Sequence, residues 1–162
     1  MISMYGTLVL EDIGKTQTIT TADEESITNA ILKVTQEKQK VVYFLTGHGD
    51  RDISNLDKNG YSTAKAAIEK ENFQVKSLNL LVVPNIPGDA ALVVVADPKK
   101  PLMATELEAL RQYLGRDGSL MLLLEPFSDA GLVDFLNSYG ITISSDIIVD
   151  TMSRVFGASY LM

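Results

Sequence analysis

Val41-Val42-Tyr43-Phe44-Leu45 is the stretch of sequence that decides the fold. All five side chains are apolar or aromatic, so the stretch lacks the polar–apolar alternation of a strand with one wet face. A short continuous apolar run is typical of a strand that is covered on both faces, as in the centre of a parallel sheet. We therefore predict a central β-strand at residues 41–45.

Three longer strands and two short final strands are predicted downstream of this run. Residues 91–96 and 120–124 are also wholly apolar, whereas residues 73–78 alternate more and are predicted nearer an edge of the sheet. Helical spacing of apolar residues predicts helices at 23–37, 61–71 and 129–139, and another helix with Leu107, Leu110 and Leu114 on its inner face. Short final strands are predicted at 141–143 and 146–150.

Two segments match the capping box, in which threonine and glutamate satisfy free N–H groups at the start of a helix. The first is Thr21 with Glu24, and the second is Thr105 with Glu108. The threonine-rich N-terminal segment, residues 1–20, predicts an edge β-hairpin that turns near residues 12–15.

This order of elements predicts a single α/β domain over residues 1–162 with a mostly parallel sheet. Right-handed crossovers favour a three-layer, flavodoxin-like arrangement. With strand order 2-1-3-4-5, the loops after the strands at 41–45 and 91–96 flank the crevice in which open α/β sheets bind ligands.

Composition excludes several functional classes. The chain has 162 residues, a formal net charge of −7, no cysteine and one histidine. A net negative field disfavours nucleic acid, and the lack of cysteine excludes thiol nucleophiles and disulfides. No stretch reaches the ~18 apolar residues of a membrane span, and no secretory signal is visible. The sequence begins abruptly with a predicted strand, so we expect a soluble fragment of a longer protein.

The loop that follows the central strand carries the most function-like residues. His48 lies between two glycines, which allow close backbone approach to a ligand, and histidine transfers protons near neutral pH. A loop histidine that hydrogen-bonds a neighbouring carbonyl or Asp50 is the structural alternative. Topology brings Asp97 and Glu125 to the same edge. The candidate ligand-binding residues are Thr46, Gly47, His48, Gly49, Asp50, Arg51, Asp97 and Glu125.

No catalytic or metal site is predicted. The sequence has no G-x-S-x-G elbow, no Walker A motif and no dinucleotide fingerprint. Asp50 and Asp52 with His48 are too few for a metal site and are better explained as a surface turn around Arg51. No cofactor is expected.

Three segments resemble the auxiliary domain of gliding-motility-type ABC transport proteins. They are residues 42–52, 59–62 and 75–80, and the most specific part is Thr46-Gly47-His48-Gly49-Asp50-Arg51. Residues 5–11, 97–101 and 149–157 fit as well, so the resemblance covers nearly the whole chain.

This resemblance implies a fold similar to class I glutamine amidotransferases and an extracytoplasmic (periplasmic) domain anchored by membrane helices absent from this chain. It implies an ABC permease and ATPase as partners. Amidotransferases need a nucleophilic cysteine, which this chain lacks. The resemblance supplies no catalytic residues.

Two functions follow as hypotheses. The first is a non-catalytic binding or assembly module of an ABC-type transport system, with a small ligand or glycan as a further candidate partner. The alternative is a hydrolase or transferase that acts on a small polar or glycan substrate through His48, with Asp50 or Glu125 assisting. Self-association through the edge hairpin is a further expectation.

Overall fold

The computed structural model describes residues 6–35, 39–144, 146 and 147. Over these residues the chain forms six strands and four helices, which alternate after an N-terminal hairpin except that β5 follows β4 directly. Their bounds are β1 Leu8–Asp12, β2 Lys15–Ile19, α1 Glu24–Thr35, β3 Val41–Leu45, α2 Ser62–Lys70, β4 Gln74–Leu78, β5 Ala90–Ala96, α3 Ala104–Leu114, β6 Leu120–Leu123 and α4 Val133–Asn137.

Strands β3 to β6 form one four-stranded sheet in the order β4-β3-β5-β6. All three pairings in this sheet are parallel. The first four positions of the predicted strand order are therefore confirmed, as is the central place of the apolar run at 41–45. Strand β4, which alternates in burial, lies at an edge as expected.

Alternate residues of β3 enter two separate cores. Val41, Tyr43 and Leu45 face a core that includes α3 and α4, whereas Val42 and Phe44 face a core that includes Ile68 of α2. Helices thus cover both faces of the sheet, which explains why β3 has no polar position.

The predicted hairpin is present, but it does not join the parallel sheet. Strands β1 and β2 pair antiparallel, with Asp12 opposite Lys15 at the turn, and form a separate two-stranded sheet. Both strands contact α1. Residues 1–5, the first part of the predicted hairpin segment, lie outside the described residues.

Both predicted capping boxes are wrong in their residues. Asp23, rather than Thr21, caps α1, because its Oδ1 accepts the backbone N–H of Ser26 at 2.7 Å. Helix α3 begins one residue before Thr105, and the side chain of Glu106 accepts the backbone N–H of Met103 at 2.9 Å. A shift of one or two residues therefore turns Glu106, instead of Glu108, toward the start of the helix.

The end of the chain differs most from prediction. Helix α4 is shorter than residues 129–139, because Ala130 and Gly131 have positive φ angles that delay its start. Residues 141–143 form no strand, since Gly140 also has a positive φ and the N–H of Ile141 donates to Leu136 in the helix end. Asp146 and Ile147 are not in a strand either, and residues 148–150 lie outside the described part.

No helix of the described residues is both long and apolar enough to cross a bilayer.

Candidate functional site

The loop at residues 46–52 leaves the carboxyl end of β3 and is held by the ends of both neighbouring strands. The backbone N–H of Thr46 donates to Leu78 at the end of β4 (2.8 Å), and that of Arg51 donates to Ala96 at the end of β5 (2.9 Å). The carbonyl oxygen of His48 accepts the N–H groups of Lys99 (2.7 Å) and Lys100 (3.0 Å). The loop therefore lies at the edge of the sheet where a ligand was expected from topology.

Two glycines make this path possible. Gly47 and Gly49 have φ angles of 120° and 76°. A Cβ at Gly49 would lie 3.2 Å from the Cβ of Lys99. Glycine is needed at residue 49 for both the backbone angle and the close approach of the loop after β5.

His48, Asp50 and Glu106 form what we call the inner cluster. Nε2 of His48 lies 2.9 Å from Oε2 of Glu106, and the two residues are only 3% and 1% exposed. On the other side, Nδ1 of His48 lies 3.9 Å from Oδ2 of Asp50, an ion-pair distance that is too long for a hydrogen bond. The backbone N–H of His48 donates to the same Asp50 oxygen at 2.9 Å.

Each imidazole nitrogen of His48 thus faces a carboxylate. Oε2 of Glu106 also accepts the N–H of Met103, so this oxygen joins the loop to the first turn of α3. Burial raises the pKa of Asp50, because its carboxylate loses hydration, and the nearby charge of Glu106 acts in the same direction. The arrangement can hold and share protons inside the protein, but it presents no imidazole nitrogen to solvent.

Arg51, Asp97, Lys99 and Glu125 form what we call the outer cluster. Nε of Arg51 donates to Oδ2 of Asp97 at 2.8 Å, and Nη2 donates to Oε1 of Glu125 at 3.0 Å. Nη1 donates to the carbonyl oxygen of Asn59 at 3.2 Å. The ammonium group of Lys99 binds the other oxygen of Asp97. One guanidinium group therefore links the loops after β3, β5 and β6.

The exposure of the outer cluster decreases from its rim to its centre. The Glu125 and Lys99 side chains are about half exposed, that of Arg51 is partly buried, and that of Asp97 is almost fully buried. The pKa of Arg51 is raised, because the attraction of Asp97 and Glu125 together outweighs the opposing effect of desolvation. Arg51 therefore stays charged and keeps Asp97 paired.

Asp52 belongs to neither cluster. Its Oδ1 accepts the backbone N–H and the hydroxyl of Ser54 at 2.7 and 2.6 Å, and these bonds lower its pKa. Within the described residues, no group of three or more histidine, aspartate or glutamate side chains is arranged to hold a metal ion.

All eight predicted site residues lie on this edge, but the structure divides their side chains. His48 and Asp50 turn inward, whereas Arg51, Asp97 and Glu125 meet on the outer side.

The sequence prediction missed Glu106, Lys99 and the carbonyl oxygen of Asn59. One signal could have found Glu106, since it shares a helical face with Ala109, Leu110 and Tyr113, which are all buried. An acidic residue on such an apolar face needs a buried partner that can pair with its charge. His48 is the only histidine in the sequence, so it was a candidate for that partner.

Comparison with known proteins supplies the family. Neither a curated protein nor a solved structure matches the chain. A family model described as "ABC-type uncharacterized transport system" matches residues 39–156, which include the whole parallel sheet and both charge clusters. Hairpin β1–β2 and α1 precede the matched range. Because the match covers well over half of the sequence, the chain belongs to this family of auxiliary components of ABC-type transport systems.

Proposed function

We propose that this chain is a non-catalytic binding or assembly module on the extracytoplasmic side of an ABC-type transport system. The family match supports the transport system, and the geometry of His48 supports the absence of catalysis. The observation that carries the proposal is that the imidazole of this buried histidine has a carboxylate on both sides.

A general base needs a nitrogen within hydrogen-bond reach of the substrate proton. Nε2 of His48 is engaged by Glu106, and Nδ1 lies beside Asp50 under a nearly closed surface. These contacts instead suit a histidine that fixes the loop against α3. The geometry gives no support to a hydrolase or transferase that acts through His48.

The finer parts of the proposal come from the sequence resemblance. They are the relation to gliding-motility-type systems, an amidotransferase-like version of the α/β fold and a periplasmic position beside a membrane anchor. A permease and an ATPase are the proposed partners, with a small ligand or glycan as a secondary one. Self-association through hairpin β1–β2 is also part of the proposal, and the exposure of Leu8 and Val9 on β1 supports it.

The test is affinity purification of the tagged full-length protein from solubilised membranes of its host. We expect an ABC ATPase and its permease to be enriched over a purification from untagged cells. If neither transporter subunit is enriched, the assembly role is wrong. A substrate screen serves as the second arm: turnover by the wild type that disappears in a folded His48→Gln variant would contradict the non-catalytic role.

A further inference from the structure

Each of the four loops that leave the carboxyl ends of the parallel strands exposes a large apolar side chain. Leu56 follows β3 and is 88% exposed, and Phe127 follows β6 and is 72% exposed. Val82 follows β4 and Met103 follows β5, and both are also more than half exposed. Single exposed apolar residues are normal on protein surfaces, whereas a set gathered on one side is typical of an interaction site.

Contacts between these loops make one surface, which we call the carboxyl edge. Arg51 bonds both to Asn59, in the loop of Leu56, and to Glu125, beside the loop of Phe127. The N–H of Leu102 donates to Ala130 at 3.1 Å, which joins the loops after β5 and β6. Leu56, Met103 and Phe127 are therefore carried by loops that brace one another.

The charges within the carboxyl edge are nearly balanced, although the whole chain has a net charge of −7. In the outer cluster, Arg51 and Lys99 offset Asp97 and Glu125. Of the other charged residues in these loops, Lys58 and Lys100 stand against Asp52, Asp57 and Asp129. The Asp50 side chain is buried, and Asp89 lies at the far end of its loop, beside the start of β5. A nucleic acid or an anionic membrane would require an excess of cations, whereas an apolar protein surface without excess charge fits a balanced edge.

Phe127 is held in a backbone conformation that a bulky side chain rarely adopts. Its φ angle is 64°, in a turn where the N–H of Ser128 donates to Glu125 at 3.2 Å. The left-handed region is costly for a phenylalanine, and the exposed ring gains little packing to offset that cost. Exposed aromatic residues that are strained in the free protein are typical of binding anchors rather than of stability.

We propose that the carboxyl edge is the docking surface for an apolar region, without excess charge, on another subunit of the transport system. Leu56 and Phe127 are its anchors, and the outer cluster holds their loops in place. This inference rests on the proposed assembly function and specifies the surface that performs it.

The test uses the full-length protein and the amount of ATPase and permease recovered with it. We expect Leu56→Asp combined with Phe127→Asp to reduce recovery at least about tenfold, because buried anchors dominate binding energy. Ile141→Asp combined with Ile147→Asp is the matched control, since both are exposed apolar residues that follow α4 and lie outside the four loops, and it should leave recovery unchanged. Phe127→Gly should weaken recovery while the thermal midpoint stays equal or rises, a combination that a purely structural role does not predict.

Three other outcomes would each contradict the docking proposal, the assembly function or both. Normal recovery with the double variant, which must show wild-type circular dichroism, places docking elsewhere and leaves the assembly function intact. Failure of the wild type to recover any transporter subunit removes both proposals. If wild type, but not the double variant, binds vesicles of phosphatidylcholine and phosphatidylglycerol without transporter subunits, the edge docks on lipid and the inference is wrong.

Discussion

The inner and outer clusters draw on adjacent residues of one loop, yet they lie in different environments. His48 and Asp50 point into the protein, where Glu106 meets them, whereas Arg51 points outward to Asp97 and Glu125. A buried ionisable group depends on its partners, because water cannot replace them. An exposed ion pair is screened and contributes little to stability. The comparison teaches that the inner cluster depends on its buried partners, while the outer cluster links three loops at a surface that is partly open to solvent.

The largest expected effect is the loss of the inner carboxylate. Glu106→Ala leaves Nε2 of His48 and the N–H of Met103 without their acceptor in a buried place. We expect a loss of about 3–4 kcal/mol in the free energy of unfolding, measured by urea denaturation. Glu108→Ala on the same helix is the control and should change stability by less than about 0.5 kcal/mol, because Glu108 is exposed. Equal effects of the two variants would contradict the structural role of the inner cluster.

A smaller effect is expected from the outer cluster. Arg51→Met leaves Asp97 buried with only Lys99 as a charged partner. We expect a loss of about 1–2 kcal/mol, mainly from the unsatisfied Asp97 oxygen, in the same denaturation assay. Lys65→Met removes the exposed ion pair with Glu69 and should cost less than about 0.5 kcal/mol. If Arg51→Met loses as much unfolding free energy as Glu106→Ala, the inner cluster does not contribute more to stability than the outer cluster, and the comparison is wrong.

The smallest and most discriminating effect is a pair of opposite pH dependences at Asp50 and Asp52. Burial raises the pKa of Asp50 above its ordinary value of 3.8, so the folded state binds this proton more tightly than the unfolded chain. Its contribution to stability is present at pH below the unfolded value and is lost as pH rises through the folded pKa. Bonds from Ser54 lower the pKa of Asp52, so its contribution is present at higher pH and is lost as pH falls through the folded pKa.

The measurement is the free energy of unfolding of Asp50→Asn and Asp52→Asn, compared with wild type, from about pH 3 to about pH 8. The stability difference, wild type minus variant, should rise toward low pH for Asp50→Asn and toward high pH for Asp52→Asn. The same slope for both variants would mean that the two carboxylates have similar environments. That result would contradict the burial of Asp50 and the hydrogen bonds from Ser54 to Asp52.

The parallel sheet was predictable because apolar runs report burial directly. Strand β3 has no polar position because both of its faces are covered, and the sequence shows this without a structure. Strands β5 and β6 were found by the same pattern. The short strand predicted at 141–143 is wrong, since these residues follow a positive-φ glycine and the N–H of Ile141 donates to Leu136 at the end of α4.

The position of the candidate site was also predictable, because topology gathers the ends of parallel strands at one edge. The orientation of its side chains was not. Whether His48 faces solvent or Glu106 depends on the positive φ angles of Gly47 and Gly49 and on where α3 begins. Local sequence placed the cap of α3 at Thr105, whereas the helix begins at Ala104 and buries Glu106 on the same face as Ala109 and Leu110.

The sequence by itself determined the α/β class, the parallel strand order, the lack of a thiol nucleophile and the edge that carries the loop at 46–52, since each follows from residue type and period. Only the tertiary structure decided which charged groups meet. Partners such as His48 and Glu106, or Arg51 and Glu125, are separated by 58 and 74 residues, and their pairing depends on how helices and loops pack at the edge. Burial then decides how much each pair contributes to stability, because charged side chains depend on one another where water is excluded and are screened where it is not.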